Sequence, residues 1–303
     1  MHRYVYIDGI ERLIYDYFSY GVISLIYIYN FLCFKQKKES LSRLSLMISA
    51  YPTENKFVKF FISKNFLAVF ETVLTVATYL LSTTFMGIFG AMIGDVNNYF
   101  GMVYFIALLL LFTAYLIGLN PLKQADTFAP SIPFSLILAK IGCFFTGCCH
   151  GYEWKYGYYN MKTGLVEFPV QLLEATEALF IFIFLLCYKK KSKPGTLLPM
   201  FTILYSGLRF FSEFLRGEAE PIFWIIKPYH LFCIAGVILG VAEYWFITRY
   251  GNKLVEICEN SFICNFVEKR LTARIKKKAD AQKTVVHHHK RKKKNTKKTT
   301  HKK

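Results

Sequence analysis

Apolar residues in this chain occur in blocks about 20 residues long, and this arrangement limits the possible folds more than any other feature. A helix of about 20 residues crosses a hydrocarbon layer about 30 Å thick, because each residue adds about 1.5 Å. Backbone N–H and C=O groups cannot stay unpaired in lipid, so each spanning segment must be helical. We predict an all-α, polytopic membrane protein with about seven transmembrane helices, over residues 14–34, 65–86, 99–119, 128–149, 169–188, 196–213 and 229–248.

The composition excludes an ordinary soluble domain. Hydrophobic residues make up 54% of the chain and charged residues 19%, whereas soluble domains average about 45–50% and about 25%. The eight cysteines lie mostly in apolar blocks or at their ends. This distribution also argues against a secreted domain held together by disulfides.

The Lys and Arg residues predict the orientation of the spans. Cytoplasmic loops of membrane proteins carry an excess of these residues. In this chain they concentrate in the loop 35–64, in the short loop 189–193 and in the segment from Arg249 onward. We therefore predict that the N-terminus lies outside and the C-terminus lies in the cytoplasm.

Three parts follow from this arrangement: an external arm (1–13), a seven-helix transmembrane domain (14–250) and a basic cytoplasmic tail (251–303). Residues 251–275 are predicted to form an amphipathic helix on the membrane surface, and we expect the tail to be mostly disordered after residue 275. The net charge of +18 would suit RNA or anionic lipid. Because no folded nucleic-acid module is apparent, we expect attraction to the acidic inner leaflet and no specific nucleic-acid partner.

Charged side chains inside a membrane are costly and usually mark a site. Arg209, Glu213 and Arg216 are spaced so that they share one helix face, with Tyr205 one turn earlier. A guanidinium group can bind a phosphate through two parallel hydrogen bonds, which an enzyme acting on phospholipid headgroups requires. The alternative is a structural ion pair that makes the burial of Arg209 and Glu213 tolerable.

Further polar residues lie within or beside other spans. Gln171 and Glu174 follow a proline at the start of the fifth span, and we expect Glu174 to project into the bundle. Lys140 lies inside the fourth span. Glu71 in the second span and His230 at the start of the seventh are weaker candidates, with bundle pairing and an interfacial position as their respective alternatives.

A cluster of thiols follows Lys140 at the predicted outer end of the fourth span. Cys148, Cys149 and His150 are consecutive, and Cys143 lies five residues before Cys148. Three interpretations remain open: metal binding, redox chemistry, or a re-entrant loop that is packed or cross-linked, with His150 as an acid or base. Glycines within and around the cluster permit tight turns or close approach to a ligand, namely Gly142, Gly147 and Gly151.

With these motifs in order, the chain resembles the bacterial prolipoprotein diacylglyceryl transferase family over roughly residues 120–245. The stretches that carry the resemblance are ADTFAP (125–130), AKIGCF (139–144), GCCHG (147–151), FPVQLLE (168–174) and YSGLRFFSEFLR (205–216).

The resemblance implies a seven-helix, multi-pass enzyme of the bacterial inner (plasma) membrane. Such enzymes transfer diacylglycerol from phosphatidylglycerol to the lipobox cysteine thiol of a pre-lipoprotein and release glycerol phosphate. The implied partners are phosphatidylglycerol or another anionic phospholipid, the pre-lipoprotein signal peptide and the membrane. We expect a monomer with no cofactor and no bound metal.

Together, the residue pattern and the resemblance predict two sets of site residues. The catalytic set comprises Arg209, Glu213, Lys140, His150 and Cys148. In this set Arg209 and Lys140 bind phosphate, Glu213 orients Arg209, and His150 or a cysteine removes a proton. The substrate-binding set comprises Gly142, Cys143, Cys149, Gly151, Gln171, Glu174, Tyr205 and Arg216.

The chain departs from the family pattern at several positions. Typical members have arginine where Lys140 stands, asparagine where Cys143 stands and a carboxylate where Cys148 stands. The family's His-Gly-Gly run has no counterpart; the nearest stretches are Phe89-Gly90 and Phe100-Gly101. The alternative function is therefore a redox or metal-binding membrane protein that acts through Cys143, Cys148, Cys149 and His150.

Overall fold

The computed structural model describes residues 29, 38, 41–74, 76–77, 81, 108–109, 111–217 and 225–277. Its helices are α1 (Arg43–Ser49), α2 (Lys56–Phe61), α3 (Pro121–Phe128), α4 (Ser131–Thr146), α5 (Val170–Tyr188), α6 (Leu197–Glu213) and α7 (Pro228–Glu259). The strands β1 (Glu153–Asn160) and β2 (Leu165–Glu167) lie between α4 and α5. Residues 64–74, 111–117 and 262–277 are also helical.

Some predictions concern residues outside this set. The external arm, nearly all of the first predicted span, Phe89-Gly90, Phe100-Gly101 and the tail after residue 277 lie outside the described residues. The second and third predicted spans are described only in part.

The described part of the chain is mostly helical and contains helices that can cross a membrane. By length and apolar composition these are the stretch Pro121–Thr146, which joins α3 to α4, together with α5 and α7. The predicted spans 128–149, 169–188 and 196–213 coincide closely with α4, α5 and α6. The count of seven spans and their orientation stay predictions.

A bundle of α4, α5, α6 and α7 positions the polar residues. α4 packs against α5, and α6 packs against both α5 and α7. One buried apolar cluster joins the first three of these helices to α3, and it comprises Phe128, Ala129, Ile132, Leu136, Ala178, Ile181, Leu185, Leu197 and Phe201. This apolar cluster fixes the positions of α3, α4, α5 and α6 relative to one another.

The start of α6 is fixed by a side chain from another helix. Asp126 on α3 accepts hydrogen bonds from the backbone N–H groups of Gly195 at 2.6 Å and Leu197 at 3.1 Å. The first N–H groups of a helix have no partner within the helix, so a carboxylate at this place stabilises its N-terminus. Asp126 therefore ties α6 to α3.

Glu71 is paired with residues at the start of α1, outside the bundle of α4 to α7. Its Oε1 accepts hydrogen bonds from the backbone N–H of Ser42 at 2.9 Å and from the Oγ of Ser45 at 2.7 Å. These contacts connect the helical residues 64–74 to the start of α1.

Two predictions about secondary structure were wrong. Residues 150–168, read as a loop, contain the antiparallel hairpin of β1 and β2. The helix α7, which contains the predicted span 229–248, continues to Glu259, and the predicted surface helix 251–275 is divided at Asn260. Gly251 does not end α7; it is buried against Leu122, whose Cδ1 would lie only 3.0 Å from a Cβ at this position.

Candidate active site

Glu174 lies at the centre of a buried cluster of charges. Its Oε2 contacts the ammonium group of Lys140 on α4, and its Oε1 contacts the guanidinium group of Arg209 on α6. Nη1 of Arg216 lies 3.2 Å from the same Oε1. The Glu174 side chain is only 3% exposed. Three cations from two other parts of the chain therefore converge on one carboxylate of α5.

Glu213 supplies the second carboxylate of the cluster. Its Oε2 lies 2.6 Å from Nη2 of Arg209 and 3.9 Å from Nε of Arg216. The structure thus brings Arg209 and Glu213 together as the helical spacing predicted. It also places Glu174 against Arg209, a contact between α5 and α6 that helical spacing alone could not indicate.

Among the directly paired groups of the cluster, cations outnumber carboxylates. Glu177 is a further carboxylate nearby, but the ion pairs themselves join Lys140, Arg209 and Arg216 to two carboxylates, an excess of one cation. Such an excess attracts an anion, and planar guanidinium groups match the geometry of a phosphate. A cleft opens beside the cluster, lined by Leu136, Lys140, Glu174, Glu177, Ala178, Ile181, Tyr205, Leu208 and Arg209.

Tyr205 and Gly142, both predicted to bind substrate, lie on the helices that form this region. Tyr205 lines the cleft, and its ring stacks on Phe201 with 5.6 Å between ring centroids. Gly142 is buried in α4, where its carbonyl oxygen accepts a hydrogen bond from the Oγ1 of Thr146 at 3.1 Å. Tyr205 therefore faces the cleft, while Gly142 belongs to the packing of α4.

The three predicted thiols converge just beyond the end of α4. The Sγ atoms of Cys143, Cys148 and Cys149 all lie within 4.8 Å of one another. Gly147 ends α4 with φ 67°, and Cys149 has φ 58°. These two left-handed residues fold the chain back, so that Cys148 and Cys149 return to the level of Cys143.

His150 is held on the hairpin and is not among the residues that line the cleft. Its Nδ1 lies 3.2 Å from Oε1 of Glu167 and 3.2 Å from the carbonyl oxygen of Gly151. The potential metal ligands that converge at the three thiols do not include His150 either. The structure therefore separates His150 from both the thiols and the cations with which it was grouped on sequence grounds.

Gln171 connects α5 to both the thiol loop and the hairpin. Its Nε2 donates hydrogen bonds to the carbonyl oxygen of Cys148 at 2.8 Å and to the hydroxyl oxygen of Tyr158 at 3.0 Å. Burial raises the pKa of Tyr158 above its ordinary value. Gln171 thus positions the loop that carries the thiols.

Gly151 allows the loop to approach its neighbours closely. A Cβ at this position would lie 2.3 Å from the carbonyl oxygen of Phe168, a distance that no side chain tolerates. Gly151 also forms an isolated antiparallel bridge with Arg216. The glycine therefore joins the loop to the end of α6, beside the charged cluster.

Sequence reasoning missed two supporting residues. Lys227, at the start of α7, donates from Nζ to the carbonyl oxygens of Glu213 at 3.2 Å and Arg216, and so caps the end of α6. Its own backbone N–H donates to Nδ1 of His230 at 3.0 Å. Glu167 is buried, and it accepts a hydrogen bond from Nδ2 of Asn160 at 2.8 Å. The only available signal was the presence of charged residues at the edges of apolar segments.

The chain is similar in sequence to a known protein family. The sequence pattern of the prolipoprotein diacylglyceryl transferase family matches residues 57–246. This match begins well before residue 120, so the resemblance extends further toward the N-terminus than the motifs indicated.

Individual relatives agree with the family match. The chain is 29% identical over 133 residues to the phosphatidylglycerol–prolipoprotein diacylglyceryl transferase 2 of Clostridium perfringens, covering 41% of this chain and 52% of the relative. It is 27% identical over 128 residues to the phosphatidylglycerol–prolipoprotein diacylglyceryl transferase of Clostridium tetani, covering 40% and 51%. It is 30% identical over 191 residues to the protein of that name from Haemophilus influenzae strain PittEE, covering 53% and 71%.

The chain spans about half the length of the two clostridial relatives. The names of all three relatives denote a transferase, and none denotes a redox or metal-binding protein. The family pattern covers more than half of this chain, including α2 to α6 and most of α7. The protein therefore belongs to the prolipoprotein diacylglyceryl transferase family.

Proposed function

We propose that this protein transfers diacylglycerol from phosphatidylglycerol to the lipobox cysteine thiol of pre-lipoproteins. The observation that carries the proposal is the buried cluster in which Lys140, Arg209 and Arg216 surround Glu174. The names of the relatives support the same reaction. Phosphatidylglycerol, or another anionic phospholipid, and the signal peptide of a pre-lipoprotein are the proposed substrates.

The proposed setting is the bacterial inner membrane. We propose seven spanning helices, with the N-terminus outside and the C-terminus in the cytoplasm, because Lys and Arg concentrate on one side of the predicted spans. The proposed active form is a monomer, with residues 14–250 as the transmembrane domain. The polar cluster would then lie between helices that expose apolar side chains to lipid, such as Phe180 on α5 and Ile238 on α7.

The proposed reaction is displacement at a glycerol carbon. The acceptor sulfur forms a bond to that carbon, the carbon–oxygen bond to the phosphate breaks, and glycerol phosphate leaves with the electron pair. The thiol gives up its proton in the same process. Negative charge therefore develops on the phosphate, where fixed cations stabilise the transition state most effectively.

Each charged residue has a proposed role in this step. Arg209 and Arg216 bind the phosphate through their planar guanidinium groups. Lys140 adds a positive charge, but its ammonium group lacks the parallel pair of N–H donors of a guanidinium group. Glu174 and Glu213 orient the two guanidinium groups. The thiol loop lies beside the same charges, because Cys149 interacts electrostatically with Lys140 and Arg216. The thiol loop is therefore better placed than His150 to act on the acceptor thiol.

The test is an assay of the purified full chain with phosphatidylglycerol vesicles and a lipobox peptide. Mass spectrometry would detect thioether-linked diacylglycerol on the peptide. We expect Arg209→Ala to reduce product formation by about 100-fold or more, since removal of one donor from such a site has an effect of this size. Cys187→Ser is the matched control, because Cys187 is exposed on α5 and outside the cluster.

Two further outcomes are informative. Loss of product in Arg209→Ala alone supports headgroup chemistry at the cations, whereas loss in Cys148→Ser alone moves the chemistry to the thiols. If the unaltered protein forms no thioether product with any lipobox peptide, the proposed function is wrong.

A further inference from the structure

We propose that Cys143, Cys148 and Cys149 bind one thiophilic metal ion, Zn²⁺, and that the open coordination position of this ion accepts the substrate thiol. The first half of this proposal is independent of the proposed function. The second half rests on it, because a thiol acceptor is part of that reaction.

The sulfur geometry is close to that of a three-thiolate metal site. Zinc binds cysteine sulfur at about 2.3 Å, so three sulfurs of one tetrahedral ion lie about 3.8 Å apart. The three Sγ atoms here lie within 4.8 Å of one another. The largest of these separations therefore exceeds the spacing in a zinc site by no more than about 1 Å.

The backbone is strained in order to bring the sulfurs together. Cys149 has φ 58°, which places a residue with a side chain in the left-handed region. This conformation is unfavourable for residues other than glycine. Such strain concentrates at functional sites. At Cys149 it turns the third sulfur toward the other two, which a simple connecting loop does not require.

The positions of nearby cations suit a metal site with a net negative charge. Three thiolates and Zn²⁺ together carry one negative charge. Lys140 lies one turn before Cys143 on α4, and the backbone of Arg216 pairs with Gly151, two residues after Cys149. A disulfide would use only two of the sulfurs and leave the third without a role. The arrangement of three sulfurs beside two cations therefore fits a metal better than a redox pair.

The fourth position is open. Within the described residues, the group of potential ligands contains no histidine or carboxylate in addition to the three cysteines. His150, the nearest in sequence, is turned toward Glu167. Structural zinc sites have four protein ligands, whereas catalytic sites have three and leave one position for water or substrate.

The open position would lie next to the proposed phosphate site. On α4, Cys143 follows Lys140 by one helical turn. On α5, Gln171 donates a hydrogen bond to the carbonyl oxygen of Cys148. Glu174 follows Gln171 on the same helix by one turn. When a thiol binds to the metal, a metal–sulfur bond forms, the S–H bond breaks, and the proton passes to water. This would supply a thiolate in a chain that lacks the family's His-Gly-Gly run.

The metal half is tested with the full chain purified in detergent under reducing, oxygen-free conditions. We expect one Zn²⁺ per chain by elemental analysis, and an absorption band from sulfur-to-cobalt charge transfer after exchange with Co²⁺. Single changes of Cys143, Cys148 or Cys149 to Ser should weaken binding by more than about 100-fold, since loss of a group that is only hydrogen-bonded to a ligand already weakens it by about 10–100-fold.

Cys187→Ser is the control and should bind the metal like the unaltered protein. Thermal unfolding of each variant without metal separates loss of ligands from loss of folding. If the unaltered protein binds neither Zn²⁺ nor Co²⁺ in a one-to-one ratio, the proposal is wrong. It is equally wrong if a folded variant lacking one of the three thiols binds as tightly, or if two of the thiols are isolated as a disulfide under these conditions.

The thiol half is tested by adding a lipobox peptide to the cobalt form. We expect a change in the charge-transfer band with the cysteine peptide and no change when serine replaces that cysteine. If the cysteine peptide does not change the charge-transfer band, the metal does not bind the substrate thiol. The metal site would then be structural only. The proposed function fails by a different measurement, the absence of thioether product, so the two failures are distinguishable.

Discussion

Gln171 donates a hydrogen bond from Nε2 to the carbonyl oxygen of Cys148 across 2.8 Å, which joins α5 to the loop that carries the thiols. Glu174 lies one turn further along the same helix and contacts all three cations of the cluster. One helix therefore positions both the charged groups and the sulfurs.

Replacement of Gln171 by alanine should loosen the thiol loop. The partly buried carbonyl oxygen of Cys148 would lose this donor, and loss of a typical hydrogen bond costs about 0.5–1.5 kcal/mol. We expect a lower unfolding temperature in detergent and faster alkylation of Cys148 and Cys149. The control is Thr176→Ala, at an exposed position of the same helix. Equal alkylation rates in the two variants would contradict the role assigned to Gln171.

Glu174→Gln should destabilise the protein strongly. The change leaves Lys140, Arg209 and Arg216 facing only Glu213, and removal of one partner from a buried ion pair costs about 3–5 kcal/mol. Vesicles of phosphatidylglycerol should stabilise the variant more than the unaltered protein, because the lipid phosphate restores a negative charge. Thermal unfolding with anionic and with zwitterionic vesicles measures this difference.

The matched control is Glu153→Gln, since Glu153 is an exposed carboxylate at the start of β1. It should unfold at the same temperature as the unaltered protein. If Glu174→Gln does the same, the cluster does not depend on its central carboxylate.

Asp126→Asn tests whether α6 depends on the cap from α3. The two hydrogen bonds to Gly195 and Leu197 would weaken, and loss of a helix cap costs about 0.5–2 kcal/mol. We expect a drop of a few degrees in the unfolding temperature. Lys123→Ala, on an exposed position of α3, should produce none. A drop of equal size in both variants would mean that α3 is generally sensitive and that the cap is not specific.

Tyr158 makes stability depend on pH in the alkaline range. Burial raises its pKa above the ordinary value of 10.0, so the unfolded chain loses the phenol proton at a lower pH than the folded chain does. The resulting stabilisation is complete below the unfolded pKa and is lost as the pH rises through the folded pKa. Between about pH 9 and about pH 11, Tyr158→Phe should therefore lose less stability than the unaltered protein.

Unfolding temperatures measured over that range provide the comparison. Tyr156→Phe is the control, because the Tyr156 side chain is 74% exposed, and its curve should follow that of the unaltered protein. Parallel curves for Tyr158→Phe and the unaltered protein would contradict the prediction.

The sequence was sufficient for contacts within one helix. Arg209 and Glu213 are four residues apart, so helical geometry alone places them together. Glu174 is 35 residues from Arg209, and their contact depends on how α5 packs against α6. No local pattern contains that information, which explains why Glu174 was not recognised as the centre of the cluster.

The ends of the helices were predictable only where a proline or glycine limits the backbone conformation. Pro169 precedes α5, and Gly147 in the left-handed conformation ends α4, so both boundaries lie close to the predicted ones. The hairpin was missed because its paired strands are short and rich in aromatic residues like the span ends around them. The length of α7 was missed because Gly251, at the predicted start of the tail, lies inside the helix and packs against Leu122.

The position of Glu174 has a consequence for the rate at which anions enter and leave. An anionic ligand that binds to the three cations competes with a carboxylate that is attached to α5 and therefore always present at high effective concentration. Binding at this site is an exchange of one anion for another. In the proposed reaction, this competition would weaken the binding of substrate and speed the release of the phosphate-bearing product, so that affinity is lowered and turnover is raised.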